Sequence, residues 1–292
     1  MNAESRAMWF FKRLGMDGLA WSLRRLHCPV KKDDLVLEVG SGGNPYFRSN
    51  ILCDAYLETR ERHFVPLVND RPTILAFTEH LPFQDNSFEF CLASHVLEHS
   101  KDPEAFIQEI QRVSRAGYIE VPDALLERLS GYVDHRLEIT ERSGELIIRK
   151  KKSSTQDLEL SELLFNRASK LFGPLVSKHP FHFHVRHYWA KSDGGIRYRI
   201  LNPEYVFDWD CPVRQTTKPG KSFKAKVHQT GLWLARKLLS QTARNNRIDI
   251  VKYLRCVACK GVAFSRKGGF LKCDGCGREI SILSNGIIDF TK

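Results

Sequence analysis

The sequence predicts an α/β fold, a doubly wound parallel sheet followed by a small metal-stabilised module. Three observations predict it. Short β-like runs alternate with helical patterns from Leu35 to Asp123, two glycines close the first apolar run in "VLEVGSGGNP", and four of the eight cysteines form two C-x2-C pairs. Strands alternating with helices argue for parallel pairing, and paired cysteines at this spacing for a metal in a reducing compartment.

Strands are expected near Leu35–Val39, Ile51–Asp54, Thr73–Phe77, Phe88–Ser94 and Gly117–Val121. Only about ten residues separate the first two, close to the minimum for a parallel connection. The crossover is therefore read as a single helical turn, capped by Asn44 and opened by Pro45. In "DPEAFIQEIQRVSRAG", Asp102 suits the N-cap and Pro103 the first helical position. Phe106, Ile107, Ile110 and Val113 form the apolar stripe, and Gly117 ends the helix. After Asp123 the alternation stops. "HRLEITERSGELIIRKK" reads as a hairpin around Ser143-Gly144, "LELSELLFNRASKLF" as an amphipathic helix, and "HFHVRHYWAKSDGGIRYRIL" as a second hairpin around Gly194-Gly195. "VHQTGLWLARKLLSQTARNN" reads as a linker helix. The expected division is a domain over 1–210, with its core at 35–123 and a substrate-side insertion at 124–210, a basic linker at 211–249, and a four-cysteine module at 250–292.

A chain of 292 residues, 42% hydrophobic, buries a sizeable core. The N-terminus sustains no apolar signal region, and no window approaches the roughly 18 apolar residues of a membrane span, so a cytoplasmic protein is expected. The formal charge is +11, or about +9 with four cysteines bound to zinc as thiolates. The excess is local: Cys211 to Ile248 holds nine Lys/Arg and no acid. That segment reads either as a solvated linker or as a contact for an anionic partner such as RNA, a nucleotide-linked substrate or an acidic membrane surface.

Lacking a Cβ, Gly40 and Gly42 let a backbone approach a ligand at the carboxyl end of the first strand, where open α/β sheets bind ligands. Asp54 ends the second strand, where a carboxylate accepts hydrogen bonds from both hydroxyls of a ribose. The runs "VLEVGSGGNP", "LPFQDNSFEFCLASHVLEH" and "GYIEVP" together resemble the class I S-adenosylmethionine-dependent methyltransferases, in their broad type 11-like, small-molecule branch. The resemblance spans roughly Leu35 to Asp123. It implies a Rossmann-like domain with S-adenosylmethionine as cofactor, which has no pyrophosphate and so dispenses with a third glycine. Glu38, Gly40 and Gly42 match the family's first motif, and Asp54 its ribose-binding acid. The third strand departs from the pattern. Phe77 stands where the family usually has an aspartate for the adenine amino group, so an aromatic packing on adenine and the Thr78 backbone are expected there instead. Ser94 and His95, at the end of the fourth strand, complete the cofactor set that the resemblance implies.

Methyl transfer from a sulfonium needs positioning and, for hydroxyl or amine acceptors, a base. His95, Glu120 and His135 are the catalytic candidates. His95 reads equally as a base or as packing against the sulfonium end, and His99 as orienting the helix that starts near Asp102. The Asn-Pro-Pro-aromatic signature of methyltransferases acting on planar nitrogen is absent. His182 and His184 share a strand face and read as a polar face rather than a metal site.

Cys256, Cys259, Cys273 and Cys276 are expected to hold a structural Zn2+ in a closed tetrahedral site, which folds a segment of about 40 residues that is too short for a core of its own. The closing "SILSNGIIDF" resembles the tail of the small zinc-ribbon proteins that activate tRNA and release-factor methyltransferases, here fused in cis. The leading functional expectation is methyl transfer to an oxygen or nitrogen acceptor, first a cell-surface glycan precursor and second an RNA. A non-catalytic scaffold with a degenerate methyltransferase fold is the reading from another class.

Overall fold

The computed structural model describes residues 4–59, 62, 65–130, 132–154, 157–210 and 223–292. Cys211 and the first part of the basic stretch lie outside the described residues. The strands are β1 Val36–Val39, β2 Ile51–Asp54, β3 Thr73–Leu75, β4 Phe90–Ser94, β5 Ala116–Pro122, β6 Leu137–Arg142, β7 Glu145–Lys150, β8 His184–Ala190, β9 Arg197–Ile200, β10 Phe264–Lys267, β11 Phe270–Cys273, β12 Glu279–Ile282 and β13 Ile288–Asp289. Two compact units share the chain. The first holds Met1–Pro29, Ser94–Pro103 and Tyr118–Arg214, and the second Val30–Ala93, Glu104–Gly117 and Gln215–Lys292.

In the second unit the parallel strands run in the order β3-β2-β1-β4. Leu37 lies between Ile51 and Cys91, and Cys53 opposite Ile74. "VLEV", "ILCD" and "TIL" are buried at every position, as expected of parallel strands covered on both faces. Helix Pro103–Val113 forms as its stripe requires, with Phe106, Ile107, Ile110 and Val113 buried. No helix is assigned between β1 and β2. Instead Glu38, buried on β1, accepts the Tyr46 N–H at 2.9 Å and the Ser49 hydroxyl, which ties the crossover down as irregular turns.

The cysteine module continues the same sheet. Its last strand, β13, pairs in parallel with β3, Ile288 against Ile74 and Asp289 against Leu75. Strands β12, β11 and β10 follow antiparallel. The β3 edge, with its unpaired N–H and C=O groups, is thus covered by the chain's own C-terminus. A second attachment joins Phe83 to Leu254 by an isolated bridge, with the Arg255 guanidinium 2.8 Å from Asp85.

In the first unit β6 and β7 form the expected hairpin, with Ser143 and Gly144 both at positive φ, as a two-residue turn of primed type requires. The second expected hairpin does not form. β8 lies beside β5, whereas β9 pairs in parallel with β7, Leu146 against Tyr198. Gly194 and Gly195 turn the chain away from β8 after a short 3-10 turn at Lys191–Asp193. The amphipathic helix is also interrupted. Leu158–Ser161 and Ser169–Lys178 are α-helical, separated by a π-helical turn at Glu162–Arg167. Phe172 packs with Leu126 and Phe183 in a local core.

Candidate cofactor and catalytic sites

The glycine loop of the second unit is built around Asp54. Gly40 and Gly42 take φ of 63° and 58°, the left-handed region that side chains resist. This turns the Gly42 N–H onto Asp54 Oδ2 at 2.9 Å, while Oδ1 accepts the Tyr56 N–H at 3.1 Å. The carboxylate is nearly buried and has one further partner that sequence reasoning missed: Arg62 Nη1, 2.7 Å from Oδ1. Arg62 also donates to the carbonyls of Tyr56 and Leu57. A Cβ on Gly42 would lie 3.2 Å from the Arg62 Cδ, and one on Gly43 only 2.4 Å from Val65 Cγ1. Arg62, Val65 and Val68 therefore lie over the loop, with the Val68 N–H on the Gly42 carbonyl.

Phe77 follows β3 with its ring exposed and meets Tyr56 edge to face at 5.8 Å. Thr78, buried, opens a one-turn 3-10 helix. The donor set suits an adenosyl group: a buried acid for ribose hydroxyls and two open aromatic faces for a purine. A ribose held by Asp54 would take the place that the Arg62 guanidinium holds here. Glu38, bonded through Oε2 to Tyr46 and Ser49, shapes the loop.

The first unit gathers a different set of residues. His95, at φ 56°, occupies a conformation unusual for a residue with a side chain, and its N–H donates to the Glu120 carbonyl at 2.7 Å. The turn aims the imidazole at two carboxylates, with Nε2 3.3 Å from Glu120 Oε1 and Nδ1 3.4 Å from Glu98 Oε1. Glu120 is wholly buried. It accepts from Arg24 Nε at 2.7 Å and Nη2 at 3.0 Å, from Tyr118 Oη at 2.5 Å and from Ser94 Oγ at 3.1 Å. Burial pushes its carboxyl up, but the hydrogen bonds from His95 and Arg24 outweigh this and hold it well below the usual carboxylate range. Burial likewise disfavours a charged His95, yet Glu120 and Glu98 raise it to about 9. The ring keeps 38% of its side chain open, so it is the member of this network that a ligand can reach.

His135 stands apart from His95, donating through Nδ1 to Glu127 at 2.6 Å. His99 Nδ1 lies 3.0 Å from the Asp134 carbonyl, and at the start of the following helix Ser100 Oγ accepts the Asp102 N–H. His182 and His184 join no third metal ligand among the described residues. Arg24, Arg62, Tyr56 and Tyr118 were not legible as site residues.

Residues 55–119 match a family model described as a methyltransferase domain. This chain carries a methyltransferase domain. The matched segment runs from the turn after β2 into β5 of the sheet. Solved structures similar to it include a complex of the Haloferax volcanii Trm112 methyltransferase activator with a methyltransferase. There the identity is 15%, over 65% of this chain and 95% of that one, with a TM-score of 0.36. The YcgJ protein of Bacillus subtilis is 18% identical over 42% of this chain and 69% of that one, with a TM-score of 0.30. An S-adenosylmethionine-dependent methyltransferase of Mesorhizobium loti is 12% identical over 46% and 64%, with a TM-score of 0.29. A search of curated proteins gave no match.

Beyond the methyltransferase core, the four module cysteines converge with their sulfurs within 4.8 Å of one another. Cys256 and Cys276 are 3.7 Å apart, and Cys259 and Cys273 3.5 Å. Gly261 and Gly275 crowd the Cys259 sulfur so closely that a Cβ would lie 3.2–3.3 Å from it. Four converging thiols on two tight turns fit a closed tetrahedral zinc site.

Proposed function

We propose that this methyltransferase transfers the methyl group of S-adenosylmethionine to an oxygen or nitrogen of a glycan precursor carried on a lipid. The match of residues 55–119 to the methyltransferase domain carries the methyl-transfer part. Gly40, Gly42 and Asp54 are assigned to the cofactor's methionine and ribose portions, and Phe77 with Tyr56 to its adenine. In the other unit His95, kept protonated by the two carboxylates its nitrogens face, is assigned to packing at the acceptor, and Glu120 to holding the imidazole. Cys256, Cys259, Cys273 and Cys276 are assigned to a structural zinc ion.

Exposed apolar residues beside basic ones support the lipid-linked acceptor. Helix Arg6–Arg13 and the turn after it leave Trp9, Phe10, Leu14 and Met16 exposed, with Lys12 and Arg13 in the last helical turn. Helix Phe223–Leu239 exposes Trp233, Leu234 and Leu238, with exposed Lys237 in its last turn. Apolar-basic helices of this kind lie in the interface of anionic membranes. Among the described residues no helix is long and apolar enough to cross one. The basic stretch also supports a second reading, RNA, whose binding weakens steeply with salt because phosphate contacts release counterions.

Mass spectrometry of cell extract separated into lipid-linked glycan, free glycan and RNA pools tests the proposal. A product one methyl group heavier in the lipid-linked pool supports it, and one in the RNA pool replaces it with the second reading. Calorimetry with S-adenosylmethionine tests the cofactor assignment on its own: wild type that binds nothing overturns it and favours a scaffold.

A further inference from the structure

"HVLEH" places Glu98 and His99 side by side in a single 3-10 turn, Leu97–His99. The chain returns to this turn much later, where the Arg136 N–H donates to the Glu98 carbonyl at 2.7 Å and brings His135 against it. The two imidazoles meet edge to face at 4.7 Å. Each ring is fixed from behind. His99 Nδ1 lies 3.0 Å from the Asp134 carbonyl, which only accepts, so Nδ1 carries the proton and Nε2 the lone pair. His135 Nδ1 faces Glu127 Oε2 at 2.6 Å, Lys151 Nζ holds the other Glu127 oxygen at 2.9 Å, and Tyr132 stacks on the ring at 4.4 Å. Histidines that bind metals are oriented in this way, one nitrogen on a carbonyl or carboxylate and the other on the ion.

Glu98 supplies the independent observation. Its side chain is 2% exposed, and among the described residues neither oxygen has a hydrogen-bond donor. His95 Nδ1 faces Oε1 at 3.4 Å and offsets the charge as an ion pair, but outside hydrogen-bond geometry. Buried carboxylate oxygens without donors are costly, and a bound cation satisfies them. One ligand atom from each of Glu98, His99 and His135 lies within 4.8 Å of the others. Metal–ligand bonds of about 2.1 Å span at most about 4 Å across an ion, so small side-chain rotations close the group on one.

We infer that Glu98, His99 and His135 form a second metal site, chemically unlike the cysteine site, for a divalent transition ion such as Mn2+, Fe2+ or Co2+. Two imidazoles and a carboxylate suit these ions, whereas four thiolates select zinc. Three protein ligands leave positions open for water or an oxygen of a bound molecule. The inference does not rest on the methyl-transfer reading, and its test measures no methyl transfer.

The full chain, loaded with zinc, is titrated with Mn2+ while the electron paramagnetic resonance of free Mn2+ is followed. The expected result is uptake of one Mn2+ per chain with zinc content unchanged. Glu98→Gln and His135→Asn lower Mn2+ affinity at least tenfold while retaining zinc and the far-ultraviolet circular dichroism of the wild type. Glu127→Gln, which leaves all three ligands in place, weakens binding about tenfold. Wild-type protein titrated with Co2+ shows ligand-field bands without thiolate-to-cobalt charge transfer, an outcome that needs no variant to fold. Absence of Mn2+ uptake, Co2+ entering only the thiolate site, or Mn2+ affinity unchanged in Glu98→Gln overturns the inference.

Discussion

Arg24 and Glu120, 96 residues apart in sequence, meet as a two-pronged ion pair, with Nε on Oε2 at 2.7 Å and Nη2 on Oε1 at 3.0 Å. The guanidinium also stacks over the Trp21 ring at 3.9 Å. Removing the cation leaves a buried carboxylate that His95, Tyr118 and Ser94 only partly satisfy. Arg24→Ala is expected to lower unfolding free energy by about 3 kcal/mol, the low end of the range for breaking a buried pair. Urea denaturation followed by tryptophan fluorescence measures it, and a loss below about 1 kcal/mol contradicts this account.

The same carboxylate sets an acid limit. The folded-state pKa of Glu120 is depressed, so its contribution to stability is fully present above the unfolded value near 4.5 and fades as pH falls below that. Wild-type urea midpoints should drop between about pH 5 and pH 3 more steeply than those of Glu120→Gln. Parallel slopes would remove Glu120 as the cause.

Asp54 cannot serve Arg62 and a ribose with the same oxygen. Arg62→Ala is therefore expected to tighten S-adenosylmethionine binding about fivefold, equivalent to roughly 1 kcal/mol. Asp54→Ala should abolish binding. Calorimetry on both variants decides it, and weaker binding by Arg62→Ala would mean that the arginine holds the cofactor instead of competing with it.

Phe77→Ala removes one of the two open aromatic faces beyond β3. Loss of base stacking on this scale costs about 1–3 kcal/mol, so affinity for S-adenosylmethionine should fall at least fivefold. The same titration with S-adenosylhomocysteine should show an equal loss, because both ligands carry the same adenine.

Chelation of the zinc ion is expected to unfold the cysteine module and release β13 from β3, because metal binding supplies most of the folding energy of so short a segment. Cys259→Ser should have the same effect. A released β3 edge exposes Ile74 and its neighbours to pairing between chains. Light scattering after treatment with a chelator should show aggregation that added zinc prevents, and a chelated protein that stays monodisperse with an unchanged melting temperature would contradict this.

Much of the second unit could be read directly. The four strands of the sheet are mostly apolar runs, helix Pro103–Val113 carries its stripe and its proline at the first turn, and the cysteine pairs announce their geometry by spacing. The Ser143-Gly144 turn was legible for the same reason, since two adjacent residues at positive φ define it. The segment around Gly194-Gly195 carried a similar turn signal and gave no hairpin, because the partners of β8 and β9 are β5 and β7 and not each other. Among site residues, Asp54 was visible as an acid ending a strand. Arg62 was not, because nothing in its local pattern separates an arginine that covers a carboxylate from one in solvent.

By itself the sequence determined where the parallel strands and helix Pro103–Val113 form, which backbone positions need glycine, and that four cysteines converge. These properties are set by neighbours a few residues away. Only the tertiary structure decided that Arg24 neutralises Glu120, that Ile288 and Asp289 complete the sheet beside β3, and that His135 comes to rest against His99. Such meetings between distant segments follow no sequence period. They depend on which buried charges and open strand edges the rest of the fold leaves to be satisfied.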